Sequence, residues 1–110
     1  MSGLTFGEYQ GVAKTTALPT AMDLNYLIPG LVAEAGEVAG KYAKIIRDKN
    51  GDISAEDRLE LLKEVGDVLW FLALIAEHEG ETLDRLAQEN LEKLLSRKNR
   101  GVLGGSGDNR

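Results

Sequence analysis

Two matching acidic motifs on either side of an Asn-Gly turn constrain this chain more than anything else in it. Glu34-Ala-Gly-Glu37-Val-Ala precedes the turn and Glu64-Val-Gly-Asp67-Val-Leu follows it. Each sets an acid, two residues and a second acid, with glycine directly before the second acid. Both lie in stretches of helical apolar spacing: Leu31, Ala35, Val38, Tyr42 and Ile45 in one, Leu61, Val65, Val68, Leu72 and Ile75 in the other. Helix positions i and i+3 are surface neighbours, so each motif holds two like charges side by side, at a cost of roughly a few tenths of a kcal/mol. A glycine inside a helix costs about 1 kcal/mol relative to alanine. The motifs are equidistant from Asn50-Gly51, the strongest breaker between them. An antiparallel helical hairpin about that turn sets them at one height. Its local two-fold then projects Glu34, Glu37, Glu64 and Asp67 to the same side.

The flanking sequence predicts two more helices and no alternating strand. Thr5-Phe-Gly-Glu8 fits a capping box for a first helix of about three turns, which must stop before Pro19. Asn25 is read as the cap of the second helix, with Pro29 in its first turn or at its start. Ser54 and Asp57 resemble a capping start for the third helix, and Gly80 is its expected stop. Thr82 caps a fourth helix carrying Leu83, Leu86, Ala87, Asn90, Leu91 and Leu94. The expected fold is all-α, a four-helix bundle over residues 1–100. Residues 101–110 read as a glycine-rich tail, flexible or ordered only by a partner.

Composition narrows the chemistry. With 13 basic and 18 acidic residues the formal net charge is -5, which argues against a nucleic-acid binder relying on phosphate neutralisation. There is no cysteine, so disulfides, zinc fingers, iron–sulfur clusters and thiol nucleophiles are excluded together. The start shows neither a basic n-region nor an apolar h-region, and Val68 to Ala76 is far too short to span a bilayer. A cytoplasmic protein with no membrane partner is expected. The single histidine, His78, has Ile75 three residues before it, so the Glu-x-x-His of carboxylate-bridged di-iron bundles is missing.

Four converging carboxylates require a cation or strongly raised pKa values. An all-carboxylate oxygen set suits a hard divalent ion, Mg²⁺ first and Mn²⁺ second. The competing reading is a solvated face whose acids pair with Lys41, Lys44 or Lys63. Two matched pairs, symmetric about the turn, favour the metal. Mg²⁺ held by few carboxylates completes its shell with water and substrate phosphates. Lys93 to Arg100 holds four basic residues and no acid, and Asn90, Lys93 and Arg97 share a helix face that can donate to phosphates. That charge also suits a helix C-terminus and solubility alone.

Glu34-x-x-Glu37, 26 intervening residues and Glu64-x-x-Asp67 resemble the signature of the all-α, MazG-like nucleotide pyrophosphohydrolases. Gly30-Leu-Val-Ala-Glu-Ala-Gly-Glu-Val and Lys63-Glu-Val-Gly-Asp-Val-Leu-Trp extend the likeness, and Asn90-x-x-Lys93-x-x-x-Arg97 resembles that family's substrate-side element. Tyr9-Gln10 is a weaker echo. The resemblance implies hydrolysis of a nucleoside triphosphate between its α and β phosphates, typically to clear damaged or surplus deoxynucleotides. It implies Glu34, Glu37, Glu64 and Asp67 as Mg²⁺ ligands, with Glu34 or Glu37 taking a proton from water. Lys93 and Arg97 would steady the phosphates, and Asn90 would bond sugar or phosphate. Phe71 is open between packing on the nucleotide and lying in the core. Two alternatives stand beside this: a helical module that binds nucleotide or protein without turnover, and a phosphoribosyl-ATP pyrophosphohydrolase.

Both hairpin helices carry a second apolar side, Ala33, Gly36, Gly40 and Ala43 on one and Leu62, Leu69, Trp70 and Ala73 on the other. Such faces are expected between subunits or under the remaining helices of the same chain. The resemblance implies a homodimer or homotetramer whose sites use more than one chain.

Overall fold

The hairpin dominates the computed structural model, which describes residues 3–110; Met1 and Ser2, part of the start read for an export signal, lie outside it. Four α-helices follow one another: α1 (Phe6–Ala13), α2 (Leu24–Lys49), α3 (Ala55–His78) and α4 (Leu83–Asn99). Short 3₁₀ turns at Lys14–Thr16 and Pro19–Ala21 link α1 to α2, and no strand occurs among the described residues. Over the described residues the chain is all-α, with four α-helices. No described helix is long and apolar enough to cross a membrane.

Local chemistry sets most boundaries. The Thr5 hydroxyl accepts from the Glu8 N–H and α1 begins there. Ser54 and Asp57 form a reciprocal capping box at α3, and Thr82 accepts from the Arg85 N–H at α4. Gly80 follows the end of α3 as expected. The start of α2 differs from expectation. Asp23, not Asn25, is the cap, its carboxylate accepting from the Asn25 N–H. Pro29 therefore sits in the second turn rather than the first. It forfeits only the bond to the Asn25 carbonyl, close enough to the helix end to be tolerated.

The α2 and α3 helices pair along their length through the turn at Asn50, which adopts the left-handed conformation. The core sits at the hairpin end away from that turn. Leu27, Phe71 and Leu74 form its centre, flanked by Ala17, Met22, Leu31, Trp70 and Ile75. A second cluster of Ala73, Ala76 and Leu83, with Leu69, fastens α4 to the end of α3. Within the expected α3 stripe, Val65 and Leu72 are exposed, whereas Phe71, Ala73, Leu74 and Ala76 are buried. The C-terminal half of α3 is enclosed on several sides, so one stripe does not describe it.

One buried amide ties α1 to the junction of α3 and α4. Gln10, 4% exposed, donates to Glu77 Oε1 at 3.1 Å and to the Glu81 carbonyl at 2.8 Å. Its Oε1 accepts from the Leu83 N–H at 2.8 Å, satisfying one of the orphan donors at the start of α4.

Beyond Gly101 the tail turns back along α4, where Arg97 and Lys93 hold Asp108. These contacts are with its own chain, which a reading as a flexible or partner-ordered segment does not anticipate.

Candidate metal centre

The carboxylate cluster lies midway along the hairpin. Glu34 on α2 meets Glu64 and Asp67 on α3, each offering an oxygen within 4.8 Å of the others. Glu34 and Glu64 are half-buried between the helices, and Asp67 is exposed. Partial burial, a hydrogen bond shared with Glu64, and the charges of Asp67, Glu64 and Glu37 together push the Glu34 carboxyl above its ordinary range. The charge is offset by one cation: Lys41 Nζ stands 3.5 Å from Glu64 and 3.8 Å from Glu60.

Glu37 departs from the expected convergence. It is exposed, outside the three-oxygen cluster, and lines a groove of about 410 Å³ that runs toward the turn. Lys41, Lys44, Lys49 and Asp57 share that groove. The ordinary pairing weighed for these acids is realised only in part. Lys41 reaches Glu64, Lys63 pairs with Glu60 outside the cluster, and Lys44 forms no ion pair among the described residues. Lys41 was legible as a site neighbour, since it stands two turns beyond Glu34 on the same face. Tyr9 was less so. Burial and, after it, the charge of Asp67 raise its hydroxyl above the ordinary range.

Gly30 sets the spacing of the hairpin one turn before Glu34. A Cβ there would stand 2.3 Å from Phe71 Cε1 and 2.5 Å from Cζ. Phe71 is 6% exposed and packs against Trp70 and Tyr26 in the core of the hairpin. Gly36 and Gly66, inside the acid motifs, face open space instead.

The α4 residues do not join the cluster within one chain. The fourth helix packs on α1 and the end of α3. Asn90 is exposed at the rim of an apolar groove of about 380 Å³ lined by Phe6, Leu69, Leu72 and Leu86. Lys93 and Arg97 contact the tail.

Against known proteins, the MazG nucleotide pyrophosphohydrolase domain matches residues 23–102, spanning the hairpin with its carboxylates and α4. The chain belongs to that family. It is also similar to the "Gene 37 protein" of Mycobacterium phage L5, 50% identical over 109 residues that cover 93% of this chain and 96% of the relative. No solved structure matches. The MazG domain thus begins at the Asp23 cap and ends just past α4. Its donor set here is all oxygen and anionic, with a single partial counter-charge, and fits a hard divalent cation.

Proposed function

We propose that this MazG-family chain is a Mg²⁺-dependent hydrolase that cleaves a (deoxy)nucleoside triphosphate between its α and β phosphates, releasing monophosphate and pyrophosphate. The observation that carries this reading is the three-carboxylate cluster of Glu34, Glu64 and Asp67 across the MazG hairpin. Those residues, with Glu37 one turn along, would hold the ion. Mg²⁺, or Mn²⁺ in its place, supplies charge neutralisation on phosphate and an acidified water.

The chain's own residues supply the remainder. Glu34 or Glu37 would also take a proton from the attacking water, and the place of Glu37 at the head of the groove, outside the three-oxygen cluster, supports Glu37 in that role. Lys41 and Lys44 on the groove wall offer counter-charge to a phosphate chain leaving the cluster. Asn90, Lys93 and Arg97 act on substrate in a homodimer or homotetramer, where the fourth helix of one copy approaches the hairpin of another. Uncovered apolar residues on that hairpin, including Val32, Ile46, Leu59 and Leu62, support such an assembly.

The test is a panel of ribo- and deoxynucleoside triphosphates, with phosphoribosyl-ATP, incubated with Mg²⁺ or Mn²⁺ and resolved by anion-exchange chromatography. A monophosphate and pyrophosphate are expected from a deoxynucleotide, with losses on the order of a hundredfold in Glu37→Ala and Asp67→Ala at unchanged helicity. Full activity in both variants, or orthophosphate as the product, would refute the reading.

A further inference from the structure

The basic face of α4 is occupied by the chain's own tail, and the fit is poor. Arg97 is 5% exposed, an unusual depth for a guanidinium in a chain of this size. All its bonds run from one nitrogen: Nη2 donates to the Asp108 carbonyl at 3.0 Å, to Asp108 Oδ1 at 3.2 Å and to the Gly107 carbonyl at 3.4 Å. Nε is buried and has no partner. Three acceptors crowd one arm of a planar fork while another arm is left dry. Guanidinium groups bind phosphate and carboxylate through two parallel N–H donors, and an orphaned buried donor is costly. Lys93 Nζ completes the pocket, 3.2 Å from the same Asp108 oxygen.

The tail reaches this position by reversing at Gly105 and Gly107, whose positive φ angles of 86° and 88° other residues rarely adopt. It is fastened lightly. Arg100 donates to the Arg110 carbonyl, and Arg110 to the carbonyls of Val102, Leu103 and Gly107. The Asp108 side chain remains 81% exposed, so its ion pairs are solvent-screened and readily exchanged.

We propose that the Gly101–Arg110 tail is a built-in competitor for the phosphate-binding face already assigned to Lys93 and Arg97, its Asp108 carboxylate standing where a phosphate group binds. This deepens the hydrolase reading and rests on it for the identity of the anion. A phosphate places one oxygen on Nε and one on Nη2, satisfying the donor the tail neglects. Its greater charge then displaces the single carboxylate. The tail thereby lowers the apparent affinity of α4 for nucleotide by the fraction of time it occupies the site.

The experiment uses the full chain, ¹⁵N-labelled, in EDTA, with inorganic tripolyphosphate as the probe and NMR as the readout. In the wild type the Arg97 Nε–H signal is expected to shift with added tripolyphosphate. In step with it, the amides of residues 103–110 should move to random-coil positions. Asp108→Ala should tighten tripolyphosphate binding on the order of three- to tenfold. Asp52→Ala, which removes the same charge at the hairpin tip, should change it by less. A tail that stays ordered while Arg97 saturates, equal affinities in wild type and Asp108→Ala, or no shift at Arg97 would each overturn the proposal. Chelated metal prevents turnover, so these outcomes are independent of catalysis. Intact competition without pyrophosphate release would refute hydrolysis alone.

Discussion

Gly30→Ala tests how tightly the hairpin must close to make its metal centre. An added Cβ meets the Phe71 ring at 2.3, 2.5 and 3.1 Å, whereas ordinary contact begins near 3.4 Å. Ring or helix must therefore move by about 1 Å, in a core packed to crystal-like density. The ring has nowhere to turn. Trp70 meets it edge-on at 5.0 Å between centroids, Tyr26 lies at 5.8 Å, and Leu27 and Leu74 close the cluster. Overpacking of this kind costs about 3 kcal/mol at its upper end, and the better helix propensity of alanine returns about 1 kcal/mol. A net loss of about 2 kcal/mol should lower the melting temperature by about 10 °C for a chain of this length. Circular dichroism melts and urea titrations of wild type, Gly30→Ala, Phe71→Leu and the double variant measure both the loss and its coupling. The smaller leucine side chain of Phe71→Leu should recover at least about 1 kcal/mol in the Gly30→Ala background. The same displacement separates Glu34, one turn on, from Glu64 and Asp67, so Mg²⁺ stabilisation in the melts should weaken as well. A Gly30→Ala variant as stable as wild type, with no coupling to Phe71, would refute this account of the hairpin.

Two further outcomes follow from other contacts. Lys49 and the Ser54 cap hold Asp57 down at about 2, below the unfolded value of about 3.9. The folded chain then binds fewer protons, so this contribution is complete above about pH 4 and is lost as pH falls through about 2. Asp57→Asn should flatten the melting-temperature profile across that window, and an unchanged slope would contradict the assignment. Gln10→Ala strands the Leu83 N–H and the Glu81 carbonyl, and should cost about 1–3 kcal/mol by urea titration, with α1 and α4 losing hydrogen-exchange protection before the hairpin does.

The sequence showed most of what depends on near neighbours, the Asp23 cap of α2 excepted. Thr5, Ser54 with Asp57, Gly80 and Thr82 act over three residues or fewer, and each marks a real helix end. The acid motifs predicted one site because hairpin symmetry is itself a local property, and the structure gathers three of the four acids. Glu37 stays outside because, one turn along α2, its side chain opens onto the groove wall rather than the crevice. Longer-range packing was hidden. Nothing local reveals that Gly30 faces the Phe71 ring while Gly36 and Gly66 face open space. Nor does an apolar stripe show that α3 is packed by α1, α2, α4 and the 3₁₀ turn after α1. Composition hid the tail's contacts: glycine predicts freedom, yet Asp108 and Arg110 find partners on a helix whose burial of Arg97 no spacing announces.

The hairpin also sets an order of events in time. Its carboxylates come together by closing a tight turn between two adjacent helices, whereas Gln10 joins residues 67 to 73 positions apart. Contacts local in sequence form early because they close short loops, and distant ones form late. The cluster is therefore expected in the part of the chain that assembles first, which φ-values on the two sides of the hairpin would check. A cation bound there would stabilise the folding transition state nearly as much as the native state, and would speed folding more than it slows unfolding. The Gln10 clasp behaves oppositely: its loss would leave the folding rate almost untouched and appear as faster unfolding.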